Sequence, residues 1–162
     1  MRTQPYIAVV GAADATEEEL GLAAEVGRLI GEDGAVMVCG GLGGVMDEAA
    51  RAGRAAGGTS VGIVPGDDRA PASRHLTVAI ATGMGEARNA IVVRSAEVVI
   101  AVGGEYGTLS EIAFALKMGK PVIGLATWEL SREGMPDPII RAESPVEAVA
   151  RALALARGQP PI

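Results

Sequence analysis

Along this chain, short apolar runs alternate with longer stretches in which apolar residues return every third or fourth position, and glycines stand at most of the joins. Tyr6 to Val10 is the first run, and it stops at Gly11-Ala12-Ala13. Thr16-Glu17-Glu18-Glu19 has the Thr-x-x-Glu spacing of a capping box, with Leu20, Ala23, Ala24, Gly27 and Ile30 following at helical spacing. A second run, Ala35 to Cys39, enters Gly40-Gly41-Leu42-Gly43-Gly44 and then a helix marked by Met46, Ala49, Ala50, Gly53 and Arg54. Gly57-Gly58 stops that helix, Thr59 to Val64 reads as a third strand, and Pro65-Gly66 closes it. Asp67 to His75 is polar and proline-bearing, which predicts a mobile loop. Leu76 to Ile80 predicts a strand, Gly83-Met84-Gly85 a break, and Glu86 to Ala96 a helix. Val98 to Val102 is the next strand, with a helix from Thr108 to Met118, Gly119 as its C-cap, and another strand from Pro121 to Ala126. Turn residues fill Thr127 to Pro138, and Ser144 opens a last helix (Val146, Val149, Ala150, Leu153) that ends at Gly158.

Strands that are apolar throughout and alternate with helices predict an α/β fold, a mostly parallel sheet covered by helices on both faces. The chain reads as one domain over residues 1–162, with no repeat at a fixed period. In such sheets ligands collect beyond the carboxyl ends of the strands, where chain order reverses. Three glycine breaks fall at predicted strand ends, Gly11, Gly40 to Gly44 and Gly103 to Gly107, so they are expected to converge on one crevice. At Val98 to Glu111, strand, glycine turn and helix start would aim main-chain N–H groups and the positive end of a helix dipole at one spot, which suits a phosphate.

Composition narrows the options. Only four residues are Phe, Trp or Tyr, so the core must be built from Ala, Val, Ile and Leu. A net charge of −6 disfavours nucleic-acid and membrane partners and leaves an anionic ligand to local donors. The single cysteine, Cys39, excludes an internal disulfide and reads as a small buried apolar residue. One His and one Cys cannot build the usual metal sites. No basic-then-apolar leader and no run of membrane-spanning length is visible, so a cytoplasmic protein is expected.

Few residues are equipped for chemistry. Glu111 completes Thr108-x-x-Glu111, itself a capping-box spacing, and would also lie in the first helical turn facing the phosphate turn. Arg88 lies 23 residues earlier at a helix start, where the dipole disfavours a cation. It is an ordinary solvated arginine, a partner for Glu86, or the partner of an anionic ligand. Asp47 and Glu48 suit the start of the second helix, and Asp47 could face the crevice. Ser110 has no histidine base, His75 and Lys117 read as surface residues, and no Gly-Lys-[Ser/Thr] occurs to make a P-loop.

These segments resemble the LOG-like proteins, once widely labelled lysine decarboxylases, some of which are cytokinin riboside 5′-monophosphate phosphoribohydrolases. The resemblance runs from Val9-Val10-Gly11 through Gly40-Gly41-Leu42-Gly43-Gly44-Val45-Met46 and Gly62-Ile63-Val64-Pro65-Gly66 to Gly119-Lys120-Pro121-Val122. Gly107-Thr108-Leu109-Ser110-Glu111 matches the GTxxE of that family's PGGxGTxxE motif, and Arg88 matches its upstream arginine. The resemblance implies a Rossmann-like three-layer fold, a site for a nucleoside monophosphate or similar phosphorylated ligand, and a homodimer or higher homo-oligomer; no cofactor is expected. By this resemblance Glu111 and Arg88 would be catalytic in hydrolysis of an N-glycosidic bond. Gly11, Gly41, Gly43, Gly44 and Met84 would line the ligand, together with Gly104, Glu105, Tyr106, Gly107 and Thr108. The family's Pro-Gly-Gly is Gly103-Gly104-Glu105 here, and the Arg-Lys pair of the hydrolases is Arg88-Asn89. In both respects the chain resembles a shorter bacterial branch that is also similar to molybdenum cofactor carrier proteins, which implies a non-catalytic carrier or sensor as the alternative. No lysine stands in a context that would suit pyridoxal-phosphate decarboxylation.

Overall fold

The computed structural model describes residues 4–159, so the outermost residues of the expected domain, 1–3 and 160–162, lie outside the described part. In chain order the elements are β1 (Tyr6–Gly11), α1 (Glu17–Asp33), β2 (Val36–Cys39), α2 (Val45–Ala55), β3 (Thr59–Val64) and β4 (Val78–Ala81). A short 3-10 turn (Gly85–Ala87) then leads into α3 (Arg88–Arg94), β5 (Val98–Val102), α4 (Tyr106–Lys117), β6 (Val122–Leu125), β7 (Ile140–Arg141) and α5 (Pro145–Ala156). The seven strands form one sheet in the order β4-β3-β2-β1-β5-β6-β7, and every pairing is parallel. Helices α1, α2 and α5 cover one face, packing on Ile7, Val9, Ile100 and Ile123, while α3 and α4 cover the other on Ala8, Val10, Val99 and Ala101. This is the three-layer Rossmann-like arrangement that the strand–helix alternation implied.

Local chemistry explains most element ends. The capping box at α1 forms in both directions, with Glu19 N–H donating to Thr16 Oγ1 at 3.2 Å and Thr16 N–H to Glu19 Oε2 at 2.8 Å. Ser144 caps α5 by accepting from Glu147 N–H at 3.2 Å, and Pro145 stands at the first helical position. Because the core is nearly free of aromatics, helices must approach closely to fill it. A Cβ on Gly27 of α1 would lie 2.7 Å from Ala49 Cα of α2, so glycine sets the spacing of those two helices.

Several expectations need revision. Helix α4 begins at Tyr106, two residues before the Thr108 start, and its N-cap is Glu105. The helix expected over Glu86 to Ala96 opens with the 3-10 turn and is α-helical only over Arg88–Arg94. The segment Asp67 to His75 is tethered: Ser73 N–H donates to the Gly41 carbonyl at 2.8 Å, Ser73 Oγ to Asp47 Oδ1, and Arg54 Nη1 to the Arg74 carbonyl at 2.9 Å. Asp47 is thereby taken up by the loop instead of the crevice. Strand β7 went unpredicted, because two residues carry no periodicity and their register is set by pairing with β6.

Candidate functional site

The chain runs outward from β1 through β2, β3 and β4, then returns to place β5 on the other side of β1. Connections therefore leave the carboxyl ends of β1 and β5 in opposite directions, and a crevice opens between them. It encloses about 260 Å³. Its walls are Gly11, Ala12 and Ala13 after β1, Leu42 and Met46 from the β2–α2 turn, Glu86, Arg88 and Asn89 at the start of α3, and Glu105, Gly107, Thr108 and Glu111 from the β5–α4 turn and α4.

Arg88 is the first residue of α3 and is only 7% exposed. Its guanidinium lies over Gly40, where a Cβ would come within 2.9 Å of both terminal nitrogens. Nη1 donates to Asn89 Oδ1 and stands 3.8 Å from Glu111 Oε1. Nε is buried and has no hydrogen-bond partner among the described residues. Asn89 Nδ2 donates to Ser110 Oγ at 3.0 Å, and Ser110 Oγ donates to the Gly107 carbonyl at 2.6 Å. Arg88 is thus tied through two side chains to the first turn of α4.

Glu111 is not a helix cap. With α4 starting at Tyr106, Thr108 is the third helical residue and Glu111 lies one turn further in, 5% exposed. Burial pushes its carboxyl up to about 8; the nearby Arg88 opposes that rise and Glu86 adds to it. At neutral pH Glu111 therefore holds its proton most of the time, and Arg88 is a buried cation without an ionised partner at hand. The first α4 hydrogen bond runs from Leu109 N–H to the Glu105 carbonyl at 2.9 Å, so the N–H groups of Tyr106, Gly107 and Thr108 lie outside the helical ladder. Gly107 faces open space, since a Cβ there would meet nothing within 4 Å.

Of the residues expected at the site, Gly11, Arg88, Glu105, Gly107, Thr108 and Glu111 are brought together on its walls; Gly41, Gly43, Gly44, Met84, Gly104 and Tyr106 are not among its lining residues. Gly11, Gly41 and Gly44 serve packing: Cβ atoms there would come within 2.6 Å of the Val102 carbonyl oxygen, 2.7 Å of a Val64 methyl and 2.7 Å of the Ala13 carbonyl carbon. Gly104 has φ +111 and a Cβ would strike the Thr108 side chain. Tyr106 is 81% exposed, its ring tilted against Trp128 with centroids 5.7 Å apart. Met84 is exposed in the turn before α3. Sequence reasoning missed Ala12, Ala13, Leu42, Met46, Glu86 and Asn89 as wall residues. Ala12 and Ala13 follow a strand end and were findable by that rule; Glu86 carries no such signal. His75 is half-buried, and its main-chain N–H donates to Ser73 Oγ. Cys39 is buried under the crevice and its thiol is pushed up to about 12, chiefly by burial.

A family model described as the SLOG cluster4 family matches residues 4–150. A protein of Archaeoglobus fulgidus described as uncharacterized is 47% identical over 119 residues, covering 74% of this chain and 78% of its own length. The molybdenum cofactor binding protein from the phototrophic bacterium Rippkaea orientalis superposes with a TM-score of 0.82 at 40% identity, over 90% of this chain and 93% of that one. The Moco carrier protein from Chlamydomonas reinhardtii gives 0.81 at 36% identity, over 94% and 97%. DNA processing protein A from Helicobacter pylori shares the fold, with a TM-score of 0.71 at 19% identity over 93% of this chain and 81% of that one. No helix among the described residues is long and apolar enough to cross a membrane.

Proposed function

The chain belongs to the SLOG cluster4 family, and from that premise we propose that it binds and carries a small phosphorylated ligand, the molybdenum cofactor or a nucleotide, in the β1/β5 crevice without turning it over. The observation that carries this reading is Arg88: a buried guanidinium on the crevice wall, beside a carboxyl that burial pushes toward its neutral form and with an Nε that has no partner among the described residues. A buried charge is costly unless paired, and an anionic ligand is the missing partner. The N–H groups of Gly107 and Thr108 are a second source of donors for the same anion. The proteins from Rippkaea orientalis and Chlamydomonas reinhardtii, named for binding or carrying the molybdenum cofactor, support a carrier over an enzyme.

A second reading is hydrolysis of the N-glycosidic bond of a nucleoside 5′-monophosphate. Glu111 favours it, because a carboxyl held at about 8 beside the crevice could hand its proton to the departing base as the C–N bond breaks and take back a proton from the water that adds to the sugar carbon, giving free base and ribose 5-phosphate. The same proton counts against it: a neutral Glu111 supplies no carboxylate to stabilise positive charge developing on the ribose. Calorimetry of the full chain with molybdenum cofactor and with AMP and GMP, followed by assay of each mixture for ribose 5-phosphate, decides between them. Binding that Arg88→Met weakens, with no product, supports the carrier. Product formation abolished by Glu111→Gln in a folded protein refutes it in favour of the hydrolase.

A further inference from the structure

Three carboxyl groups, Glu86, Glu105 and Glu111, share the crevice wall with one cation, Arg88. They are not a metal centre: among the described residues no three His, Cys, Asp or Glu side chains are grouped to hold an ion. A ligand matched to this wall needs an anion for Arg88 and, at another point, N–H donors for carboxylates that can only accept.

Glu105 is the acceptor that the fold leaves free. It occupies the N-cap of α4, yet its side chain makes no capping bond and joins no hydrogen bond or ion pair among the described residues. Its main chain is fixed. The Glu105 carbonyl accepts from Trp128 Nε1 at 3.2 Å, Gly103 N–H donates to the Leu125 carbonyl at 2.9 Å, and the Gly103 carbonyl accepts from Thr127 Oγ1. Glu86, by contrast, lies beside Arg88 in sequence and repels Glu111. The enclosed volume of about 260 Å³ falls just under the usual range for ligand pockets, roughly 300–1,000 Å³.

Resting on the carrier reading, we infer that the crevice selects a 2-amino-4-oxo heterocycle of guanine or pterin type, with the Glu105 carboxylate accepting the adjacent ring N–H and exocyclic NH₂ donors while the ligand's anion meets Arg88. The two oxygens of one carboxylate match those two parallel donors. Adenine places a bare ring nitrogen beside its amino group, so the same carboxylate would face a lone pair and lose one bond.

The test is calorimetry of the full chain with GMP, IMP, AMP and neopterin phosphate. GMP and neopterin phosphate should bind roughly 10- to 100-fold more tightly than AMP, with IMP between them because it lacks the amino donor. Glu105→Gln, which offers one donor and one acceptor, should erase the preference and shift it toward AMP; a merely structural side chain would not reverse selectivity. Glu133→Gln, at an exposed carboxylate off the crevice wall, should leave the preference intact. If only GMP or only neopterin phosphate outbinds AMP, and Glu105→Gln removes that advantage, the inference stands and the source of the ring is identified. Affinities for all four within about threefold, or a preference that survives Glu105→Gln, overturn the inference and leave the carrier reading standing. No binding of any probe overturns both.

Discussion

Replacing Glu111 by glutamine should stabilise this protein, and increasingly so as pH rises. The folded state raises the Glu111 carboxyl from an ordinary 4.5 to about 8, mainly through burial. Between those values the native chain keeps a proton that the unfolded chain releases, so stability falls as pH rises through the window and levels off above about 8. Below about 4.5 both states are protonated and the cost vanishes. Each tenfold gain in proton affinity is worth about 1.36 kcal/mol, so the full penalty is about 5 kcal/mol, a large fraction of the roughly 5–15 kcal/mol that holds a domain together. Glutamine has nearly the shape of the neutral acid and cannot ionise. Urea unfolding at several pH values from 5 to 9 should therefore show Glu111→Gln nearly equal to the parent at pH 5 and more stable by up to about 5 kcal/mol at pH 8 and above. A capping role predicts the reverse, a loss of about 0.5–2 kcal/mol with little pH dependence. A constant difference across the series, or a parent that gains on the variant as pH rises, would refute the reasoning and mean that Arg88 keeps Glu111 ionised.

Arg88→Met should weaken binding of a phosphorylated ligand at least 100-fold by calorimetry, the size expected when a charge-assisted contact is removed; its unliganded stability should be unchanged or higher, because a lone buried charge is gone. Gly27→Ala puts a methyl 2.7 Å from Ala49 Cα and should cost about 1–3 kcal/mol in urea unfolding by forcing α1 and α2 apart. Thr16→Ala removes half of the α1 capping box and should cost about 0.5–2 kcal/mol, read in the same assay.

The layered architecture was legible in the sequence because its strands are buried on both faces and read as unbroken apolar runs, with glycines or a capping box marking the joins. The glycine breaks at strand ends pointed to one crevice, which opens where chain order reverses between β1 and β5, and six of the twelve expected site residues stand on its walls. What escaped depended on tertiary contacts. Thr108-x-x-Glu111 has the spacing of a cap, yet Gly103 and Gly104 both turn at positive φ, +54 and +111, and start the helix earlier. That displacement carries Glu111 from the helix entrance to a buried second turn. Asp67 to His75 has the composition of a free loop, and only the fold shows Ser73 held between Gly41 and Asp47. The glycines were the least informative site signal, because a position that lets two main chains touch and one that lets a ligand approach look alike in sequence.

The pairing of Arg88 with a protonated Glu111 also separates carriage from catalysis by a measurable route. An anion bound at Arg88 cancels the one charge that holds the Glu111 carboxyl down, so the carboxyl must rise further above about 8 when the site is filled. By linkage, binding is then indifferent to pH near neutrality, where Glu111 is protonated with or without ligand. Above about 8 binding must draw a proton in and weaken as pH rises. AMP keeps ligand titration out of the window, since its phosphate monoester, with a second pKa near 6, is already a dianion there and its adenine ring has no N–H to lose. The Cys39 thiol beneath the site, at about 12, is silent across it. Affinity for AMP, measured from pH 7 to 9.5 in buffers of different ionisation heats, should fall up to about tenfold per pH unit above 8 with proton uptake approaching one. Glu111→Gln should remove both effects while leaving neutral-pH affinity in place. A hydrolase that needs an ionised Glu111 would instead gain turnover over the same range, so the direction of the pH response assigns the carboxyl its role.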